Sequence, residues 1–367
     1  MLKLTGIVIG VVMSLVIVEL ATVRHAPVRP GRMISECDGA LAEVVIQYVS
    51  DADAVLPVYR EFLRQLPTDV TVHVMCPAQA DYEELCTAIG ETRCVLRSVL
   101  VGHEMTSWSR DRWIATASDD PNDPIMLAAP RSEAGASSWP ARAGDEKLAF
   151  DLANSTNGAV VARRSDLFFD GGDLLADRDN VFVVAHALRK NLQRTVESRD
   201  ELIAMLNRMT GKRVILLDES PEHHAGMFMM AAGERTMVVG DPSLAHEIWP
   251  RVMTELPGGP DFSDATQRRF DAVASQCRRE GYRVVRIPTV PSTDGKTYLT
   301  YVNVITDHRT ASAHIVYLPV YRGAEPLNEA AAQVWRDLGY EVRPIDCTST
   351  YRFFGNLHCL VNVLRRT

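Results

Sequence analysis

Residues 44–90 read VVIQYVSDADAVLPVYREFLRQLPTDVTVHVMCPAQADYEELCTAIG. The apolar, β-branched run at 44–49 predicts a strand, and the spacing of apolar residues at 54–66 predicts a helix. A second strand is predicted at 70–76 and a second helix at 80–89. Repeated strand–helix units of this kind indicate an α/β architecture.

The alternation continues along the rest of the chain. Further strands and helices are predicted at 93–101 (strand), 197–209 (helix), 213–217 (strand), 236–239 (strand), 265–279 (helix), 282–287 (strand), 298–305 (strand), 314–318 (strand), 328–338 (helix) and 341–345 (strand). Two stretches rich in turn-forming residues, 119–157 and 255–263, are predicted to be mostly loop. No shift in composition divides the chain, so one domain is predicted at 41–367, after a linker at 22–40.

The first residues have a different character. Residues 4–18 are a run of fifteen uncharged residues preceded by Lys3. That length is short for a spanning helix and typical of a signal peptide. Residues 1–21 are therefore predicted to be a signal peptide or a membrane anchor, with the domain exported. The arginines at 24, 29 and 32 would instead favour a cytoplasmic flank if the segment is retained, so both topologies stay open.

Composition excludes some classes of function. The net charge of −8 argues against a nucleic-acid binder, and the 46 % apolar content is ordinary for a globular protein. The seven cysteines show neither a CxxC pair nor zinc-type spacing, and no phosphate loop or EF-hand is present. We therefore expect no metal and no other cofactor. An odd cysteine count leaves at least one free thiol in an exported protein, which is a candidate nucleophile.

Two segments carry acids in unusual settings. In Trp108-Ser109-Arg110-Asp111-Arg112-Trp113, the carboxylate of Asp111 could form paired hydrogen bonds to a planar guanidinium. An internal Arg–Asp ion pair is an equally good interpretation. In Phe169-Asp170-Gly171-Gly172-Asp173, the glycines permit a close backbone approach, and Asp170 could orient a histidine. A simple acidic turn is the plainer alternative.

Two later segments carry a base and a thiol. In Glu222-His223-His224-Ala225-Gly226-Met227-Phe228, adjacent histidines point to different faces, so at most one is expected to serve a site. In Phe354-Gly355-Asn356-Leu357-His358-Cys359-Leu360-Val361-Asn362, Cys359 follows a Gly-Asn turn and could face a pocket. A satisfied core histidine and a buried structural thiol are the alternatives.

In this order, the four segments resemble those of the agmatine deiminase and bacterial peptidyl-arginine deiminase family. The resemblance covers residues 41–367 and includes the stretch 301–303, with Asn303. It implies an α/β fold that is a five-bladed propeller (a pentein) with pseudo-fivefold symmetry and a site on the central axis. It also implies hydrolysis of a guanidino group, in agmatine (a polyamine precursor), peptidyl-arginine or an N-substituted arginine.

The resemblance implies a role for each matching residue. Cys359 would be the nucleophile, His224 the general acid and base, and Asp170 the residue that orients His224. The substrate-binding residues would be Trp108, Asp111, Asp177, Gly226 and Asn303. A small-molecule or peptide guanidine is thus the expected partner. A cysteine peptidase or amidase would also use Cys and His, but would not need Asp111.

The sequence departs from the family pattern at Gly226, where the family has a second guanidinium-binding aspartate, and Asp170 replaces a glutamate. One hypothesis is altered specificity, in which a substituted guanidine uses the room at Gly226. The other is a weakened or inactive deiminase that binds without turnover. If the alignment holds, we expect Gly226→Asp to improve turnover of unsubstituted guanidines.

Overall fold

The computed structural model describes residues 31–133 and 140–367. The predicted signal peptide or anchor at 1–21 lies outside these residues, together with residues 22–30 of the predicted linker. Among the described residues, no helix has both the length and the apolar character that crossing a membrane requires.

The described residues form strands that alternate with helices along the chain. The strands are β1 (Arg32–Met33), β2 (Leu41–Gln47), β3 (Thr71–Cys76), β4 (Val95–Leu100), β5 (Ile114–Ala117), β6 (Ile125–Ala129), β7 (Val160–Arg164), β8 (Leu174–Ala176), β9 (Asn180–Val183), β10 (Arg213–Leu216), β11 (Met229–Ala231), β12 (Thr236–Asp241), β13 (Arg283–Pro291), β14 (Tyr298–Thr300), β15 (Ile305–Thr310), β16 (Ala313–Val320), β17 (Tyr340–Asp346) and β18 (Val361–Arg366). The helices are α1 (Leu56–Gln65), α2 (Gln79–Ile89), α3 (Pro140–Asp145), α4 (Leu148–Ser155), α5 (His186–Asn191), α6 (Arg199–Thr210), α7 (Pro242–Ile248), α8 (Asp264–Arg279), α9 (Glu325–Asp337) and α10 (Leu357–Leu360).

The strands in the described part of the chain form five sheets. Their strand orders are β1-β5-β6-β7, β10-β9-β8, β11-β12-β13-β14, β15-β16-β17 and β18-β2-β3-β4. Each sheet contains a parallel pair whose two strands are joined by one or two helices, and each also contains an antiparallel pair. A parallel pair needs such a crossover connection. The predicted mixed α/β class is confirmed.

The apolar side chains of helix α1, spaced as the sequence predicted, pack together on one face of the helix. It buries one face against the core through Val58, Tyr59, Phe62 and Leu63. The single proton of the Tyr59 hydroxyl is shared between the carbonyl oxygens of Gln47 (2.9 Å) and Leu360 (3.3 Å). A buried hydroxyl needs such partners, and here they connect α1 to the short helix α10, which carries Cys359.

The domain begins earlier than predicted. The predicted linker extends to residue 40, whereas β1 pairs with β5, and the side chains of Met33, Glu36 and Cys37 are buried. The backbone N–H of Glu36 also donates to the carbonyl oxygen of Ala176 (2.8 Å). Residues 32–40 are therefore part of the fold, because their apolar side chains and backbone groups are satisfied inside it.

Two further predictions need correction. The stretch 119–157 contains β6, α3 and α4, and α4 buries Leu148, Ala149 and Leu152. Its content of small and polar residues concealed this short apolar face. The strand predicted at 298–305 is two strands, because the chain leaves the sheet between β14 and β15. That break contains Asn303.

The candidate segments occupy equivalent places in the sheets. Short 3₁₀ turns at Ser109–Asp111, Gly171–Asp173 and Ala225–Met227 precede the antiparallel strands β5, β8 and β11. Likewise, α10 directly precedes β18, and Asn303 lies just before β15. Each of the five sheets therefore contributes one candidate segment at the start of a strand.

Candidate active site

The two adjacent glycines bring three of the segments together. A Cβ atom on Gly171 would lie 2.2 Å from the carbonyl oxygen of Arg110 and 2.6 Å from that of Trp113. A Cβ atom on Gly172 would lie 2.6 Å from Nδ1 of His224. These distances are shorter than a carbon atom tolerates, so only glycine permits this approach.

His224 lies between two of the predicted acids. Its Nδ1 is 3.7 Å from Oδ1 of Asp111, and its Nε2 is 3.8 Å from Oδ2 of Asp170. Burial opposes the charged imidazole, but Asp111, Asp170 and the nearby Cys359 thiol raise the pKa of His224 well above its usual value. The imidazole is therefore positively charged at neutral pH and can donate a proton.

Cys359 is buried on α10, and the side chain of Asn303 lies beside it. The sulfur is 3.4 Å from Nδ2 of Asn303. The same amide donates to the carbonyl oxygen of Gly226 (3.0 Å) and accepts from the backbone N–H of His358 (2.9 Å). This fixes the amide so that its N–H can stabilise a thiolate, which is the nucleophilic form of cysteine.

The carboxylate of Asp111 has one engaged oxygen and one without a partner. Its Oδ2 lies 3.3 Å from both Arg112 and Arg142. Its Oδ1 is buried and has no hydrogen-bond partner among the described residues. Burial, together with Asp170, raises the pKa of Asp111 to about 6, although His224 opposes the rise. The ion-pair interpretation is correct for Oδ2, while Oδ1 can accept a ligand N–H.

Asp170 is paired with a lysine that the sequence did not single out. Nζ of Lys190 lies 2.9 Å from Asp170 and 2.7 Å from Asp173. Burial opposes ionisation, but His224 and Lys190 hold the pKa of Asp170 well below its usual range. Ligand atoms of Asp170, Asp173 and His224 lie within 4.8 Å of one another, as a metal would require. The Lys190 ammonium already supplies the cation that these two carboxylates would otherwise attract.

No protein-family model matches the sequence, and no curated protein matches it. Solved structures do match. The agmatine deiminase of Enterococcus faecalis has a TM-score of 0.67 at 13 % identity, covering 92 % of this chain and 96 % of its own. The C. jejuni agmatine deiminase has a TM-score of 0.66 at 16 % identity, covering 91 % and 97 %. A cysteine-to-serine variant of the C. jejuni enzyme, solved with substrate bound, has a TM-score of 0.65 at 15 % identity with the same coverage.

The chain has the fold of these agmatine deiminases. The likeness that the four segments predicted is thereby confirmed at the level of the fold. Identities this low carry no information about the substrate, so function depends on the site itself.

Most of the predicted site residues are brought together. Cys359, His224, Asp170, Asp111 and Asn303 form one contiguous cluster. Trp108 packs beside it, since a Cβ atom on Gly355 would lie 2.4 Å from the Trp108 ring. That packing places the ring next to the turn that leads into α10.

Asp177 is not part of this cluster. Its Oδ2 accepts a hydrogen bond from the Tyr282 hydroxyl, and its Oδ1 accepts from the backbone N–H groups of Asp179 and Asn180. It lines a separate cavity of about 700 Å³ that also includes Cys37. Asp177 therefore stabilises the turn between β8 and β9, and the structure does not bring it together with the other predicted substrate-binding residues.

The open space expected at Gly226 is absent. A Cβ atom there would lie 2.8 Å from Nδ1 of His358 and 3.5 Å from Nδ2 of Asn303. His358 is held in place because its Nε2 lies 3.1 Å from Oε2 of the buried Glu36. The imidazole of His358, the residue next to Cys359, thus lies against Gly226 at the position where the resemblance implied a second acid.

Gly226→Asp is therefore expected to destabilise the protein, contrary to the expectation from sequence. Its side chain would displace His358 from a buried hydrogen bond, at a cost of about 1–3 kcal/mol. Urea unfolding measures this cost. Gly226→Ala is the control, because it adds the Cβ atom without the charge. Unchanged stability of both variants would show that His358 moves freely.

Sequence reasoning missed several residues of the site. Glu36 lies in the predicted linker, and it also forms a 2.6 Å ion pair with Arg110. Burial opposes ionisation, but Arg110 and His358 lower the pKa of Glu36 to about 2. Asp173 is the last residue of the segment 169–173. The structure shows that it is completely buried, which the sequence does not reveal. Lys190 lies on α5 with no local signal at all.

Proposed function

We propose that this protein is a hydrolase that attacks the guanidino carbon through Cys359. The proposal depends on one observation, which is that Cys359, His224, Asp111 and Asp170 come from separate segments to a single cluster. A nucleophile, a proton donor that is positively charged and an oriented carboxylate are the groups that this reaction needs. The deiminase fold is consistent with the same chemistry.

The first half of the reaction forms a covalent intermediate. Oδ1 of Asp111 accepts an N–H of the guanidine and holds it beside Cys359. The thiolate forms a bond to the guanidino carbon while His224 donates its proton to one nitrogen. That nitrogen leaves as ammonia, or as an amine if it carries a substituent, and the carbon remains bonded to sulfur.

The second half releases the enzyme. Neutral His224 removes a proton from water, whose oxygen attacks the sulfur-bound carbon. The carbon–sulfur bond breaks and returns the thiolate, while the carbon keeps the oxygen as a ureido product. Asp170 holds the imidazole through both halves, because Lys190 fixes the carboxylate on its other side.

A second candidate function is guanidine binding without turnover. The observation that favours it is the lack of an acid at Gly226, where His358 fills the space. Losing a charge-assisted contact lowers substrate and transition-state binding. The fold and the remaining groups would then serve recognition alone.

Assays of ammonia release separate the two candidates. Purified protein is incubated with agmatine, arginyl peptides, N-methylated arginines and simple guanidines, and a Cys359→Ser variant serves as the control. Ammonia and a ureido product that depend on Cys359 support the hydrolase. Binding of a guanidine by calorimetry, with no ammonia at high protein concentration, supports the binding protein.

We also propose that the five sheets are the blades of a propeller with pseudo-fivefold symmetry. Their repeated strand–helix–strand units support this arrangement, as does the equivalent place of one candidate segment in each sheet. An experimental structure in which successive sheets are related by rotations of about one fifth of a turn would agree. Sheets stacked without a common axis would refute it.

The pKa of Asp111 leads to a pH dependence. Because that pKa is about 6, the carboxylate is ionised above this pH and protonated below it. We expect kcat/KM to fall roughly tenfold per pH unit below about pH 6, since only the ionised form accepts strongly. Initial rates measured at intervals of about half a pH unit between about pH 4.5 and 8 give this dependence of kcat/KM.

The control identifies the group responsible. Asp145 contacts the same arginines and also has a pKa that burial raises to about 6. Asp111→Asn removes one of these two groups, and Asp145→Asn removes the other. If the inflection in the pH profile of kcat/KM persists in Asp111→Asn and disappears in Asp145→Asn, the titrating group is Asp145, and the prediction for Asp111 fails.

A further inference from the structure

Glu36 and His358 form a buried pair beside the candidate site that the proposed reaction does not use. Their relative exposures are only 4 % and 2 %. Nε2 of His358 lies 3.1 Å from Oε2 of Glu36, and the other carboxylate oxygen, Oε1, lies 2.6 Å from Arg110. Rotation of the imidazole would leave a buried carboxylate oxygen without a partner, so the orientation of the ring is fixed.

The pair determines which nitrogen of His358 carries the proton. Glu36 is ionised at neutral pH, because Arg110 and His358 lower its pKa to about 2 although burial opposes this. A carboxylate only accepts hydrogen bonds, so Nε2 donates and holds the ring proton. Burial lowers the pKa of His358, which leaves Nδ1 unprotonated. No residue in the described part of the chain forms a hydrogen bond with Nδ1, so it is a buried acceptor without a donor.

This acceptor lies beside the nucleophile and faces Gly226. A Cβ atom on Gly226 would lie 2.8 Å from Nδ1 of His358 and 3.5 Å from Nδ2 of Asn303. That amide nitrogen is itself 3.4 Å from the sulfur of Cys359. An aspartate at position 226 would hold its carboxylate oxygens at a similar distance from its own Cβ atom. Nδ1 therefore offers a lone pair in the region that such an acid would occupy.

From these contacts we infer that Nδ1 of His358 accepts an N–H of the guanidine and is a second substrate-binding group. The inference rests on the proposed function, since it concerns the same site. A guanidinium group carries several N–H donors in one plane, and each needs an acceptor once it is buried. Oδ1 of Asp111 serves one of them, and Nδ1 of His358 serves another. The charge of Glu36 strengthens this acceptor by polarising the imidazole.

Two replacements of His358 separate the contributions of its two ring nitrogens. In His358→Gln, the amide N–H can reach Glu36 as Nε2 does, but no acceptor remains at the place of Nδ1. In His358→Asn, the amide oxygen lies near the place of Nδ1, but the side chain is too short to reach Glu36. If His358 only stabilised the fold, ligand binding and stability would both depend on the contact with Glu36.

The test measures the two properties separately. Calorimetry gives the affinity for methylguanidinium in the Cys359→Ala background, where no turnover occurs, and urea denaturation gives the stability of each variant. His73→Gln is the matched control, because buried His73 pairs with Glu43 at 3.0 Å between β2 and β3, outside the cluster. Ammonia release by the wild type is measured in a separate assay.

We expect His358→Gln to bind methylguanidinium at least about tenfold more weakly than the parent, with stability close to that of the parent. His358→Asn should be less stable but should bind within about threefold of the parent, and His73→Gln should bind as the parent does. Should His358→Asn fail to fold, the affinity of stable His358→Gln decides the question.

Three results would overturn the inference: unchanged affinity in His358→Gln, a larger loss of affinity in His358→Asn than in His358→Gln, or no binding of methylguanidinium by the parent. The ammonia assay distinguishes this failure from failure of the proposed function. Binding in the expected order without ammonia release supports the inference and rejects the hydrolase. Ammonia release by the wild type together with unchanged affinity in His358→Gln supports the hydrolase and rejects the inference.

Discussion

Replacing Cys359 by alanine is expected to abolish ammonia release from any guanidine substrate, lowering kcat/KM by at least about 1000-fold. The described groups around Cys359 offer no second nucleophile, because they are a histidine that carries a proton and carboxylates that are paired with cations. Substrate affinity should change little, since the binding groups stay in place. Initial rates and calorimetry with the same guanidine measure the two effects.

Cys86→Ala is the matched control, because this half-buried thiol lies on α2, outside the cluster. Chloroacetamidine, a guanidine mimic that alkylates thiols, should add one mass increment to the wild type and to Cys86→Ala. It should add none to Cys359→Ala. Ammonia release that survives in Cys359→Ala would reject Cys359 as the nucleophile.

His224→Gln should cost as much as Cys359→Ala, and the double variant should cost little more. Groups that act in one step lose their effect together, so their penalties do not add. Additive losses would indicate that the thiol and the imidazole act independently, and would contradict the mechanism.

The parts of the site that lie within short segments could be predicted from sequence. Cys359, His224 and Asp111 each sit in a turn just before a strand, where a chemical group and its turn residues are neighbours in the chain. Such local patterns survive in the fold, because the strand that follows fixes the direction of the turn. The alternation of strands and helices was predictable for the same reason.

Partners from distant parts of the chain could not be predicted. Lys190 reads as an ordinary charged residue on a helix, and Glu36 follows a Pro- and Arg-containing stretch that resembles a linker. Their roles depend on which carboxylate or imidazole the fold places opposite them, as the contacts with Asp170 and His358 show. Burial of a charge becomes tolerable only with such a partner.

Gly226 illustrates the limit most clearly. The resemblance implied that an acid is missing there, but no sequence pattern indicated which side chain lies against Gly226. Gly226 and His358 lie in two turns that are far apart in the sequence and pack against each other in the fold. Their contact occupies the space that was expected to be open at Gly226. The same contact is the reason why we expect Gly226→Asp to require a movement of His358.

Gly172→Ala is expected to lower kcat about 100-fold with little loss of stability. The new methyl group would lie 2.6 Å from Nδ1 and 2.7 Å from Cγ of His224, so the imidazole must rotate away. A displacement of that size removes the alignment with Cys359 that proton transfer requires. Since the obstructing atoms belong to a side chain, the backbone can stay in place.

Gly171→Ala provides the contrast, because its methyl group would meet backbone atoms. These are the carbonyl oxygens of Arg110 and Trp113, at 2.2 and 2.6 Å, and neither can move without shifting the turn before β5. We expect a loss of at least about 2 kcal/mol in the free energy of unfolding, measured by urea denaturation. Neither glycine has a left-handed φ, so the comparison isolates steric contact. Wild-type kcat in Gly172→Ala would mean that the imidazole does not act from the position that this structure gives it.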